Sequence, residues 1–296
     1  MTWLARAVGS TALAGAACVT YGTLIERRWY RLAHVRVEGV LRHPGRLRIL
    51  HVTDLHLLPR QRHRIAFVHG LADLDHDLVV ATGDLLGGPD AEDAAAAALA
   101  PLTSRGRPGL SVIGSNDQYG PVPKAPWRYL TDPRHRTPGI RLDTDRLLRR
   151  LERVGYTTLR GGTVTVDIPA GVVAAGGFDD PHLDPSVIPT PDVVTPQSSD
   201  AIVHLGLVHA PYLAALDVLV DAGHDLLLAG HTHGGQVRLP GIGALVANCD
   251  LPLDQASGLS RYRDRWLHVS AGLGHSPYAP FRFACRPEAT LLELTG

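Results

Sequence analysis

The chain has 296 residues, 45% hydrophobic and 20% charged, with 22 Pro and 31 Gly; this is ordinary globular usage and excludes wholesale disorder and collagen-like repeats. Its 29 basic residues balance 29 acidic ones, so no net field draws it to nucleic acid, which argues against a dedicated DNA-binding protein. Cys18, Cys249 and Cys285 form no C-x-x-C pair, and their odd number argues against a disulfide framework or a zinc ribbon.

The N-terminus carries the first recognisable segment. Ala7 to Ile25 is a run of 19 residues without a charge, just long enough at about 1.5 Å each to cross a hydrocarbon core of roughly 30 Å. Residues 1–31 therefore read as a single-pass membrane anchor or, through the Ala14-Gly15-Ala16 step, as a cleaved signal segment, with a buried core helix as the third reading. Arg27, Arg28 and Arg31 follow the run where only Arg6 precedes it, a bias that places the rest of the chain on the cytoplasmic face of a cell membrane.

From residue 32 to 296 the pattern is that of one α/β domain. Short apolar, β-rich runs at Leu47–Thr53, Asp77–Thr82, Leu110–Ile113, Ile202–Val208 and Asp225–Ala229 read as strands buried on both faces. Ile65–Leu74, Ala91–Leu102, Asp143–Val154 and Pro211–Ala222 carry apolar residues at helical spacing, with Pro211 suited to a first turn. Further strands at Val164–Ile168, Val172–Ala175, Gln236–Leu239, Trp266–Ser270 and Thr290–Leu294 lack intervening helices and imply a second, partly antiparallel sheet.

Polar residues gather where the strands end, the edge at which open α/β sheets build sites. In order the ends read Asp54-Leu55-His56, Gly83-Asp84, Gly114-Ser115-Asn116-Asp117, His209, and Gly230-His231-Thr232-His233-Gly234. Any one of these is weak: D-x-H recurs at Asp180-Pro181-His182, Asp54, Asp84 and Asn116 could cap helices, and a lone histidine is more often a hydrogen-bonded core residue. Five consecutive strand ends offering O or N ligands are what chance does not supply. Other histidines, including His63 and His268, sit in no such cluster and read as surface or structural.

These blocks resemble the calcineurin-like metallophosphoesterases, whose motifs run D-x-H, G-D, G-N-H-D/E, H and G-H-x-H in the same order. The tail from Ser257-Gly258-Leu259 to Arg286-Pro287-Glu288 looks like the membrane-associated bacterial branch of that family. The resemblance spans about residues 35 to 295. It implies a four-layer αββα sandwich of two mixed sheets behind the N-terminal hydrophobic helix. It also implies two divalent metal ions: one held by Asp54, His56, Asp84 and His233, the other by Asp84, Asn116, His209 and His231, with Asp84 bridging. Such a pair activates a bridging hydroxide and clamps the oxygens of an in-line displacement at phosphorus, so the expected activity is metal-dependent phosphoester hydrolysis. Ligands of mixed N and O without thiolate suit Mn, Fe or Zn. Expected substrates are a phosphodiester, a pyrophosphate or a lipid-linked phosphate at the membrane, with no nucleic acid partner. A metal-binding but catalytically silent membrane module and a nuclease are the alternatives.

One departure stands out. Where the family reads Gly-Asn-His, this chain reads Ser115-Asn116-Asp117, which puts Asp117 in place of the catalytic acid. A carboxyl beside cations has a lowered pKa and is a poor proton donor, so Asp117 is expected to orient a ligand or the attacking water, and Asp117→His to raise turnover of esters with poor leaving groups. Two Pro-rich stretches near the site, 118–139 with Tyr119, Lys124, Trp127, Arg128, Tyr129 and Arg134, and 178–200 with Asp179, Asp180 and His182, are expected to shape specificity. Arg282 is the expected substrate-phosphate contact.

Overall fold

A computed structural model of the chain describes residues 3–123 and 138–296. In chain order the helices are α1 (Trp3–Thr20), α2 (Arg62–Gly70), α3 (Glu92–Leu99), α4 (Thr144–Arg153), α5 (Pro191–Val194) and α6 (Leu213–Asp221). The strands are β1 (Arg31–Val37), β2 (Arg46–Val52), β3 (Leu78–Thr82), β4 (Gly109–Val112), β5 (Tyr156–Thr158), β6 (Gly162–Ile168), β7 (Gly171–Gly177), β8 (Ala201–Leu207), β9 (Leu226–Ala229), β10 (Arg238–Leu239), β11 (Gly243–Ala244), β12 (Gly258–Tyr262), β13 (Arg265–Val269) and β14 (Glu288–Thr295).

Two six-stranded mixed sheets stack face to face, ordered β1-β14-β2-β3-β4-β5 and β12-β13-β9-β8-β7-β6. Pleat alternation sorts the core. On β2, Leu47 and Ile49 point at the second sheet, where they meet Val203, Leu205 and Leu228, while Leu50 and Val52 face Val68 and Leu99 of the helical layer. On the far side, Ala215, Leu216 and Leu219 of α6 cover Leu227, Ala229 and Val269. The result is the four-layer αββα sandwich expected from the sequence. In α4, Asp143 caps the first turn by accepting from Arg146 N–H at 2.9 Å, Leu147 and Leu151 bury one face, and Gly155 at φ 88° ends it.

Four placements differ from the sequence reading. Gln236–Leu239, assigned there to the second sheet, carries β10, which pairs with β11 in a separate two-stranded ribbon. Thr290–Leu294, assigned there to the second sheet, lies in β14 between β1 and β2 of the first. Ile202–Val208 and Asp225–Ala229 form β8 and β9 of the second sheet, so the strand ends that carry polar residues come from both sheets. Pro211 precedes its helix, which starts at Leu213.

The N-terminal segment also departs from expectation. The 18-residue α1 stops at Thr20, followed by a π turn at Tyr21–Ile25 and a 3-10 turn at Glu26–Arg28. Among the described residues no helix is long and apolar enough to cross a membrane. Ala, Gly, Ser and Thr contribute little transfer energy, and the helix includes Arg6. A buried core helix does not match the exposure of residues 9–20, which runs along that whole stretch. The turn after α1 is instead tied to the tail: Glu26, 2% exposed, accepts from Cys285 N–H at 2.6 Å and Ala284 N–H at 2.9 Å, and Gly22 O accepts from Arg282 N–H at 3.2 Å.

Between the sheets, His51 of β2 and His268 of β13 meet with Nδ1 atoms 3.0 Å apart, and His51 Nε2 lies 2.9 Å from Thr82 Oγ1. Burial holds His51 well below its ordinary pKa, helped by His268, and pushes His268 down to about 4. Below pH 6.5 the unfolded chain therefore takes up protons that the folded one refuses, so this stability is full above 6.5 and is lost as pH falls toward 4. The expected slope is about 1.4 kcal/mol per pH unit for each such group. Thermal unfolding followed from pH 8 to 4 should show it, and His268→Leu should remove part of the slope; an unchanged slope would refute the assignment.

Candidate metal centre

Because β2, β3 and β4 run parallel, as do β8 and β9, their C-terminal ends open on one crevice. The loops leave in register: Asp54 N–H donates to Gly83 O and His56 N–H to Asp84 O, both at 2.9 Å. Asp54, His56, Asp84, His231 and His233 all adopt positive φ, between 40° and 69°. Each such non-glycine conformation costs of order 1–3 kcal/mol, and strain of this kind collects where a site dictates geometry.

All seven side chains expected as ligands sit at this crevice. Asp54, His56 and His233 form one buried group that can hold a metal ion, and Asp54, Asp84 and His209 form a second beside it, two adjacent triads that fit a dinuclear centre. Asp84 Oδ2 is 3.4 Å from His56 Nε2 and 3.5 Å from His209 Nε2, and thus reaches a histidine of each triad, while Asp54 belongs to both. His56 Nε2 is 3.2 Å from His233 Nε2, which is 3.6 Å from Asp54 Oδ1. Ligand atoms around one cation at 2.0–2.2 Å stand roughly 3 to 3.5 Å from each other, so these separations suit a shared ion. Asp54 Oδ1 and His209 Nε2 are buried with no hydrogen-bond partner, as an ion site requires.

His209 Nδ1 is fixed by Thr82 O at 2.6 Å, which leaves Nε2 toward Asp84. Asn116 reaches Asp84 twice, N–H to Oδ1 at 2.8 Å and Nδ2 to Oδ2 at 2.6 Å. His231 lies outside both triads, its ring 5.2 Å from that of His209 and its Nε2 3.3 Å from Asn248 O.

The charges are strongly coupled. Burial pushes Asp54 up to about 7 against the pull of His209. Burial acts on Asp84 in the same sense but is outweighed by His209, His56 and the Asn116 N–H, which hold it well below the carboxylate range. Burial lowers His209 less than Asp84 and Asp180 raise it, so it stays well above an ordinary histidine. His56 is pushed by burial down to about 4, and His233 also lies low, which leaves both rings neutral for coordination.

Glycines make room. A Cβ on Gly114 would fall on Asp84 Oδ1, and one on Gly272, at φ +67°, would come within 2.6 Å of Asp54 Cβ. Gly114→Ala is therefore expected to displace the Asp84 carboxylate and lower phosphoesterase turnover at least tenfold. Wild-type rates from the purified variant would contradict this geometry.

One expected role is narrowed and another is corrected. Asp117 is fully buried and accepts from Leu85 N–H at 2.7 Å, Leu86 N–H at 2.9 Å and Gly114 N–H at 2.9 Å. It braces the backbone behind Asp84, a ligand-positioning part, with Oδ1 serving two N–H donors and Oδ2 one. Burial and the Asp84 charge push it up to about 7. Arg282 is likewise fully buried and spends its donors on carbonyls, including Gly274 O at 2.6 Å, Ala271 O at 2.8 Å and Gly272 O at 3.1 Å, so it is a strut under the Asp54 crevice and not a phosphate contact. Its charge is stabilised by carbonyl dipoles in a desolvated place.

Asp180-Pro181-His182, expected only as part of a specificity-shaping stretch, is brought to the metal site itself. Asp180 is 1% exposed, accepts from His182 N–H at 2.9 Å, and has an unpartnered Oδ2; burial, opposed by His209, pushes it up to about 6. The His182 ring lies 4.1 Å from that of His231 and its Nδ1 is 3.1 Å from Tyr212 Oη. Its position just after β7 is the signal that was available. Of the first specificity loop, Lys124, Trp127, Arg128, Tyr129 and Arg134 lie outside the described residues.

Stacked sheets that converge buried Asp and His pairs on a shared strand-end crevice define a metal-dependent phosphoesterase. The chain belongs to the calcineurin-like phosphoesterase family, which residues 47–235 match. It is 30% identical over 250 residues to the metallophosphoesterase YkoQ of Bacillus subtilis, covering 84% of each chain. It is 29% identical over 223 residues to YkuE of the same organism, covering 74% of this chain and 68% of that one. A 102-residue stretch, 33% of this chain and 35% of the relative, is 38% identical to phosphodiesterase YaeI of Escherichia coli.

Proposed function

We propose that the protein hydrolyses phosphodiesters with a pair of divalent cations, Mn, Fe or Zn, held by Asp54, His56, Asp84 and His233 on one side and by Asp84, Asn116, His209 and His231 on the other. The observation that carries this reading is the single Asp84 oxygen facing His56 and His209 at 3.4 and 3.5 Å. Two such cations supply an activated water and neutralise charge on the phosphoryl oxygens. The residues supply the rest. Asp84 joins the halves, Thr82 O aims His209, Asn248 O orients the His231 ring through Nε2, and a half-turn of the Asn116 amide presents its oxygen.

A diester is favoured over a monoester on charge. Asp54 and Asp84 leave the loaded centre with a small positive surplus, and an ionised Asp180 behind it reduces that further, so one substrate charge is matched better than two. The catalytic unit is residues 32–296, held at its back by the Glu26 turn. A lipid-linked phosphoester is the second reading, favoured by exposed Leu24, Ile25 and Trp29 beside Arg27 and Arg28.

The test is the full chain, chelated and reloaded with Mn²⁺, Zn²⁺ or Fe²⁺, on bis-p-nitrophenyl phosphate, p-nitrophenyl phosphate, pyrophosphate and a lipid pyrophosphate. Two ions per chain and fastest turnover of the diester are expected. Bound metal with no turnover of any substrate would make the protein a silent metal-binding module.

A further inference from the structure

The Glu26–Arg28 turn and the start of α2 enclose a cavity of about 460 Å³ whose wall includes Arg27, Arg28, Arg60, Arg62, Arg64 and His275. No Asp or Glu lines it. Among the described residues none of the five arginines pairs with a carboxylate, whereas Arg31 beside them does, with Glu288 at 2.5 Å. Concentrated like charge of this kind is unfavourable in the empty protein and calls for an anion.

The wall is built as well as charged. Arg64 is 3% exposed and donates to Leu55 O, His56 O and Gln61 Oε1, while its buried Nε has no partner. Arg27 donates to Thr23 O and reaches His275 Nε2 at 3.4 Å. His275 Nδ1 donates to Ser276 O at 2.9 Å, which leaves Nε2 as an acceptor, and burial pushes its pKa down to about 3, so it holds Arg27 without adding charge. Arg28, Arg60 and Arg62 are exposed at the mouth.

We propose that this cavity binds a phosphate-bearing anion of pyrophosphate size, free or as a lipid headgroup, through the five guanidinium groups and without the metal ligands. Guanidinium forks match phosphate oxygens two at a time, and the volume lies in the range of small-molecule sites. Arg64 joins this cavity to the His56 backbone, so an occupant bears directly on the loop that carries two candidate ligands.

The full-length protein is tested in excess EDTA, which removes any cation-held phosphate. One arm titrates inorganic pyrophosphate by calorimetry; the other measures sedimentation with phosphatidylcholine vesicles with and without 20% phosphatidic acid. Arg28→Ser/Arg60→Ser/Arg62→Ser is compared with the charge-matched Arg105→Ser/Arg149→Ser/Arg153→Ser. Saturable binding in either arm, weakened tenfold or more in the first variant and retained in the second, supports the proposal. The arm that responds names the source. Absence of binding in both arms, wild-type binding by the first variant, or equal loss in the two variants overturns it, whatever the outcome of the phosphodiesterase assays.

Discussion

Asp84→Asn is expected to lower kcat/KM for a phosphodiester at least a thousandfold, about 4 kcal/mol of transition-state stabilisation. The substitution keeps the shape of the side chain and the Asn116 N–H contact at 2.8 Å, but it removes the charge that His56 and His209 share. Plasma mass spectrometry should find one ion per chain or none where the wild type holds two. Retention of both ions with near-normal turnover would end the reading of Asp84 as the joint between the triads.

Asp117→Ala carries the second large effect, and it acts on stability. Three buried backbone N–H groups, of Leu85, Leu86 and Gly114, lose their acceptor together. At about 1–3 kcal/mol for each unsatisfied group, a loss of roughly 3 kcal/mol or more is expected, seen as a fall of about 6–10 °C in Tm. Asp117→His should do no better than alanine and should not accelerate esters with poor leaving groups, because a ring cannot serve three donors on that backbone. A variant with wild-type Tm would show that water replaces the carboxylate at no cost.

The sequence announces the strands that end in ligands because a strand buried on both faces is a continuous apolar run, as LVVA at 78–81 and LLLA at 226–229 show. It hides β1, where RLAHVRV alternates charge and apolar residues at a sheet edge, and it hides the sheet to which β14 belongs, since partner choice is non-local. The five Asp and His side chains of the two triads were legible from spacing and glycine context. How Asp117 and Arg282 act was not legible, because a polar residue near a site looks the same in sequence whether it faces the crevice or props its wall; only the buried donors around Asp117 and the carbonyls around Arg282 distinguish the two. The arginine cavity was not legible either, because the Arg27-Arg28 pair stands more than thirty positions before Arg60-Gln61-Arg62-His63-Arg64 and nothing local says that the two meet.

The Glu26 carboxylate holds the amides of Ala284 and Cys285, next to the strut that supports the carbonyls of Ala271 to Gly274. Maturation or digestion of the chain therefore has a tolerance limit set inside its first thirty residues. A cut before Tyr21 removes α1, whose residues 9–20 are exposed, and is expected to spare the hydrolase, whereas a cut after Glu26 is expected to free the tail and, through it, the floor on which Asp54 rests.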